Sequence, residues 1–223
     1  MTKLRVQLEH GLKGKRAAAV AMDWPGLSRG GKTPDTAVAL IATYIPRYAP
    51  IAELAGMGTE FVEVSGVEVI EEYTGTGSTD FWGISFGFGP HDHAPMTAVE
   101  LERELCLMQA AWLFFDQVRG RVSAEMQKGP RGGGRDREKI VGHTLIAELD
   151  WMPKLGIKED FADLQTPEGL ATHRDRSVAT IRAYHAESKS AKKWPLRYLI
   201  RHTAFHTLDH AWEMEDKDLS GQI

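Results

Sequence analysis

His202, His206 and His210 recur at every fourth position in Arg201-His-Thr-Ala-Phe-His-Thr-Leu-Asp-His-Ala-Trp-Glu-Met-Glu-Asp216. On a helix a step of four residues advances roughly 400°, so successive imidazoles lie about 40° apart on one face. Imidazole is the commonest side-chain ligand of borderline divalent metals, and histidines at i and i+4 let one helix grip an ion. The row is therefore a candidate metal site. Zinc or nickel suits neutral nitrogen donors of this kind. Three histidines leave positions for water or substrate, and the ion lowers the pKa of a bound water or thiol enough to make a nucleophile near neutral pH.

Taking Leu199 as reference, His206 and His210 fall within roughly 20° of it and His202 within about 60°, while Phe205, Leu208 and Trp212 form a flanking apolar stripe. A row beside the core needs a further ligand from a facing helix. His143, in Lys139-Ile-Val-Gly-His-Thr-Leu-Ile-Ala-Glu-Leu-Asp-Trp151, is the best donor. Ile140, Ile146 and Ala147 on the same side point it inward. Alone it would read as a satisfied core histidine; the terminal row makes it a ligand candidate.

Asp209, Glu213 and Glu148 are candidates to orient the ligands or act as general bases, or else they are solvated helix charges. Arg201 could take an anionic substrate group, with surface ion pairing as the simpler account. The loop Lys128-Gly-Pro-Arg-Gly-Gly-Gly-Arg-Asp136 brings Arg131 and Arg135 to a helix start, where backbone N–H groups favour a carboxylate or phosphate. Its simpler reading is a flexible loop closed by Asp136 as N-cap. His91 and His93 form a loop pair without a third partner. Cys106 reads as a small buried hydrophobe.

The elements that must position these groups divide the chain near Gly89–Pro95. Before it, Leu4, Val6 and Leu8 alternate as in a strand, and Arg16 to Trp24 suits a buried strand. Thr33-Pro34-Asp35-Thr36 starts a helix running from Pro34 to about Leu54, with Pro46 and Pro50 as points of bending. Phe61–Val64, Val67–Tyr73 and Phe81–Phe88 read as further strands, with Gly75–Thr79 as a turn. Glu60, Glu63, Glu68, Glu71 and Glu72 read as a solvated sheet face, and Trp24, Phe81, Trp82 and Phe86 as core or interface. After the boundary come four helical stretches, Thr97–Met126, Asp136–Lys154, Pro167–Ser188 and Pro195–Lys217. The expected fold class is α+β, with a small sheet domain over residues 1–90 and an antiparallel four-helix bundle over residues 95–223.

The 223 residues carry a net charge of −4, which argues against general nucleic-acid binding. No apolar run approaches the roughly 18 residues needed to span a bilayer. The first residues hold no signal-peptide stretch, and one cysteine excludes an intrachain disulfide framework. A reduced, cytoplasmic protein is expected.

Two resemblances sharpen the reading. Asp23-Trp-Pro-Gly-Leu-Ser-Arg-Gly-Gly-Lys-Thr-Pro-Asp-Thr-Ala37 resembles the HicB-like antitoxin domain over roughly residues 3–74. That likeness implies a β-β-α-β-type fold acting as an antitoxin or a partner- or ligand-binding module, although no DNA-binding helix-turn-helix or ribbon-helix-helix stands out in the sequence. From about residue 96 to 217 the chain resembles the DinB-like superfamily of four-helix bundles, which includes bacillithiol- and mycothiol-dependent enzymes. His143 with Glu148 and Trp151 matches its second helix, and His206 with His210 its fourth, with His202 as the register alternative. The residues after His210, Ala-Trp-Glu-Met-Glu-Asp, depart from the usual pattern there. The resemblance implies a divalent metal, possible use of a low-molecular-weight thiol, transfer or hydrolysis on a small-molecule substrate, and a homodimer. The rival expectation is a non-enzymatic interaction protein, with the sheet domain binding a partner and the helices dimerising.

Overall fold

The computed structural model describes residues 2–130 and 132–222. It is an α+β fold with a four-stranded mixed sheet and, among the described residues, nine α-helices. Strands β1 (Thr2–His10), β2 (Ala17–Ala21) and β3 (Ser28–Gly31) come first, then the long helix α1 (Pro34–Leu54), the single turn α2 (Gly58–Phe61) and strand β4 (Val64–Thr74). The sheet order is β3-β2-β1-β4. β1 pairs antiparallel with β2, with Val6 opposite Ala21, and parallel with β4, with Val6 opposite Val69.

Local chemistry explains α1. Thr33 and Thr36 cap its start reciprocally: Thr36 N donates to Thr33 Oγ1 at 3.2 Å and Thr33 N to Thr36 Oγ1 at 2.9 Å. Pro34 fills the first position, where no N–H is needed. The helix runs on through Pro46 and Pro50 to Leu54, because its buried residues Ala37, Ile41, Tyr48, Ile51 and Ala52 are held against the sheet.

Two expected strands are not strands. Phe61 lies in α2, where the chain turns Phe61 under Trp24 and Tyr48, at ring distances of 4.7 and 5.3 Å. The segment Phe81–Phe88 splits. Thr76 and Thr79 form a capping box that starts α3 (Gly77–Trp82), and Gly83, at φ 72°, ends it in the left-handed conformation. The rest is drawn onto the buried Glu9 carboxylate, which accepts hydrogen bonds from Ser85 Oγ (2.6 Å), Tyr73 Oη (3.0 Å), Gly87 N (3.0 Å), Phe86 N (3.2 Å) and Thr79 Oγ1. A buried carboxylate needs such donors, and meeting that need takes these amides from any sheet ladder. Phe81 and Trp82 are then left 69% and 62% exposed, not in the core.

Past the short α4 (Pro90–His93) come four long helices, α5 (Ala98–Arg121), α6 (Arg137–Trp151), α8 (Pro167–Ala186) and α9 (Leu196–Asp216), with the single turn α7 (Phe161–Leu164) before α8. Thr97 and Glu100 form the capping box of α5. α9 packs against α5 and α6, and α5 against α1. The buried apolar residues of the sheet and of the helices form one contiguous cluster, with Trp212, Tyr48, Tyr198 and Phe115 among its largest members. Gly26, at φ 94°, lets the Pro25–Gly26 turn approach α9 so closely that a Cβ there would stand 2.8 Å from Leu208 and 3.1 Å from Ala204. Cys106 lies on the exposed side of α5, contrary to the expectation of burial. Among the described residues, no helix is long and apolar enough to cross a membrane.

Candidate metal centre

α9 offers His206 and His210 one turn apart, and α6 brings His143 against them. The three side chains each present a nitrogen, and these atoms lie within 4.8 Å of one another. His143 is exposed, His206 half-buried and His210 buried, so the group opens to solvent on the α6 side. The His143 ring lies 5.2 Å from that of His206 and 4.8 Å from that of His210. Nε2 of His206 and Nε2 of His210 are 3.2 Å apart. Two nitrogens sharing a tetrahedral zinc at the usual bond length stand about 3.3 Å apart, so this pair already has the spacing of one coordination edge.

The second nitrogen of His210 is committed. Nδ1 lies 2.8 Å from Glu213 Oε2, and because the carboxylate can only accept, Nδ1 carries a proton and Nε2 is the nitrogen turned towards His206. Glu213 also accepts from Arg135 Nη2 at 2.7 Å and from Lys217 Nζ at 2.6 Å. Burial would raise the pKa of Glu213, but the hydrogen bonds from His210 and Lys217 and the charge of Arg135 bring it down to about 2. A carboxylate that acidic and that fully occupied orients His210 and is a poor proton acceptor near neutrality.

His206 is held neutral. Burial, the largest cause, and the neighbouring His210, His202, His143 and Arg135 all disfavour its protonated form. Its Nδ1 is buried without a hydrogen-bond partner among the described residues. His143 is lowered for the same first reason, desolvation, with His210 and Arg135 adding to it. Three imidazoles, two of them held neutral chiefly by burial and the third oriented by a carboxylate, are a donor set that suits zinc and nickel. These residues fit a divalent ion.

No family model, curated protein or solved structure matches this chain. The site therefore stands on its own chemistry.

The other candidates fall elsewhere. His202 is buried in a ring of aromatics: it stacks on Tyr198 at 5.1 Å, with Trp151 at 4.8 Å and Trp194 at 5.6 Å. Burial first, then Arg201 and Lys154, push its pKa down to about 3. Trp151 stands between it and the centre, 5.1 Å from the His206 ring. Glu148 lies five residues beyond His143, about 140° round α6, and points away. It is neither near the histidines nor solvated. Its buried carboxyl faces His173, whose Nε2 is 3.8 Å away, and the Arg174 and Trp112 side chains.

Arg201 is not a surface residue but a buried partner of Asp92, with Nε–Oδ1 at 2.6 Å and Nη2–Oδ2 at 2.8 Å, and it reaches Ser85 Oγ at 3.0 Å. These bonds leave it no reach to a substrate. Asp209 accepts from Arg29 Nη1 at 2.8 Å. Arg135 does reach the centre through Glu213, whereas Arg131 lies outside the described residues. His91 and His93 join no group of three ligands among the described residues. Sequence reading passed over Arg29 altogether, since nothing local distinguishes an arginine on a short strand.

Proposed function

We propose that this chain is a divalent-metal-binding protein in which His143, His206 and His210 hold one ion, zinc or nickel by donor chemistry. The observation that carries this reading is the convergence of three imidazole nitrogens from two helices within 4.8 Å, with His210 oriented by Glu213. Two independent helices must be positioned to bring these side chains together, which an accidental histidine row on one helix would not require. In this reading α5, α6, α8 and α9 form a DinB-like bundle behind a HicB-like sheet domain. When bound, the ion supplies a Lewis acid and an activated water or thiol, the chemistry of thiol transfer or hydrolysis on a small molecule. The chain's own residues keep His143 and His206 neutral, orient His210 through Glu213 and leave the His143 side open for entry.

The test is the metal content of the full chain purified without an affinity tag or chelator, measured by elemental mass spectrometry. About one ion per chain is expected, lost in His206→Ala and in His143→Ala. Wild-type protein that takes up no zinc or nickel on reconstitution defeats the reading. So does His206→Ala that keeps a full equivalent.

A second reading, an interaction protein, is favoured by one observation. Phe81 and Trp82 stand exposed side by side, with rings 4.6 Å apart on the sheet half, and adjacent exposed aromatics are typical anchors of protein interfaces. Chelator-insensitive capture of one defined partner by metal-free protein, lost in Trp82→Ala, would support it.

A further inference from the structure

A cavity of about 330 Å³ beside His210 is walled by both halves of the chain. Asp209, Asp216 and Lys217 line it from the end of α9, Arg135 from the glycine-rich loop, and Arg29 from strand β3 of the sheet. Its size matches the lower end of small-molecule sites, and it adjoins the histidine centre.

Arg29 is the unusual member. Its side chain is 7% exposed, and its guanidinium lies 3.6 Å from the Tyr44 ring and 4.6 Å from that of Trp212. Only Nη1 is engaged, by Asp209 Oδ1 at 2.8 Å and Ser28 O at 3.0 Å. Nε is buried with no partner, and Nη2 makes no hydrogen bond among the described residues. A tie between sheet and α9 would account for Nη1 alone. It leaves unexplained a second edge of N–H donors on a guanidinium that aromatic faces already hold in place, next to a cavity. Buried donors are seldom left unmet, and a carboxylate is the acceptor that best suits a guanidinium N–H.

We propose that this cavity binds the carboxylate of a small-molecule substrate, with Arg29 as its anchor and Arg135 as a second cation in its lining. The proposal deepens the metal-centre reading and rests on it for the word substrate. It assigns the sheet half a role in that site: β3 supplies the residue that selects a carboxylate. Asp209 and Asp216 on the same wall would accept an ammonium group, so amino acids are natural members of the class.

The probes are acetate, glycine and methylamine, titrated into the zinc-loaded and the metal-free full chain and followed by saturation-transfer NMR. Acetate and glycine are expected to bind saturably to both forms, and methylamine more weakly than either. Arg29→Gln should weaken carboxylate binding at least about tenfold, the loss of a charge-assisted pair. Arg29→Lys keeps the charge without the fork and should also bind more weakly; with a wild-type near-ultraviolet circular dichroism spectrum it serves where the glutamine variant does not fold. Carboxylate binding that needs zinc and ignores both substitutions means coordination to the ion alone and overturns the proposal. So does equal binding of methylamine, or no binding to either form. A chain that takes up no zinc but binds acetate through Arg29 keeps the cavity and removes the metal centre, so the two failures are distinguishable.

Discussion

Glu213 sits one turn beyond His210 and accepts its Nδ1 proton at 2.8 Å, while Arg135 and Lys217 hold the same carboxylate from two other directions. This arrangement fixes which nitrogen of His210 faces His206. Replacing Glu213 with Gln keeps the shape but offers an amide that can point its NH₂ at Nδ1 and reverse the tautomer. Zinc affinity should fall about 10- to 100-fold with the fold intact. Competition against a chromophoric chelator measures it, and unchanged affinity would mean that the carboxylate does not orient the ligand.

The buried pair Arg201–Asp92 ties α9 to α4 and should appear in acid stability. Burial alone would raise the Asp92 pKa, but the Arg201 charge, its hydrogen bonds and the Gly89 N–H together lower it below the ordinary carboxylate value. A folded pKa below the unfolded one, near 3.9, supplies stability that is fully present above about pH 5 and is lost as the pH falls through the folded value. The difference in urea midpoint between wild type and Asp92→Asn should therefore be constant from pH 7 to about 5 and shrink below about pH 4. At neutral pH the variant should lose about 3–5 kcal/mol, because a buried guanidinium is left uncompensated. A difference that does not change with pH would show that Asp92 carries no linked proton.

Glu148 has the opposite sign. Burial, the largest cause, raises its pKa, and Arg174 and His173 only partly oppose this. An acid whose folded pKa is raised destabilises the fold progressively as pH climbs above the unfolded value, near 4.3. Glu148→Gln should therefore be at least as stable as wild type at pH 7, whereas Glu148→Ala should lose about 1–3 kcal/mol by leaving its neighbours unfilled. Both variants should bind zinc as wild type does, since Glu148 faces away from the histidines. Thermal unfolding at pH 5 and 7, with zinc stoichiometry, checks both points; lost zinc in Glu148→Gln would contradict the placement.

Much of the scaffold was legible because its signals are local. Thr33 and Pro34 can be read as a cap and a first turn without knowing what α1 packs against, and the helix ends at Leu54, where it was expected. The fourfold spacing of His202, His206 and His210 likewise places three imidazoles on one face by helix geometry alone.

What tertiary structure decided is which of these signals meet. Phe81–Phe88 has the aromatic spacing of a strand, yet Glu9, more than 70 residues earlier in the chain, captures the Phe86 and Gly87 amides and prevents one. Trp151 packs between His202 and His206, so the register of the candidate site rests on α6 as much as on the row itself. Arg201 and Arg29 are both ordinary arginines in the sequence, but one is spent on Asp92 and the other keeps an edge free beside His210. Spacing along one element follows from backbone geometry and is written in the sequence. The burial and pairing of a charge depend on what distant segments bring to it, and that exists only once the chain has folded.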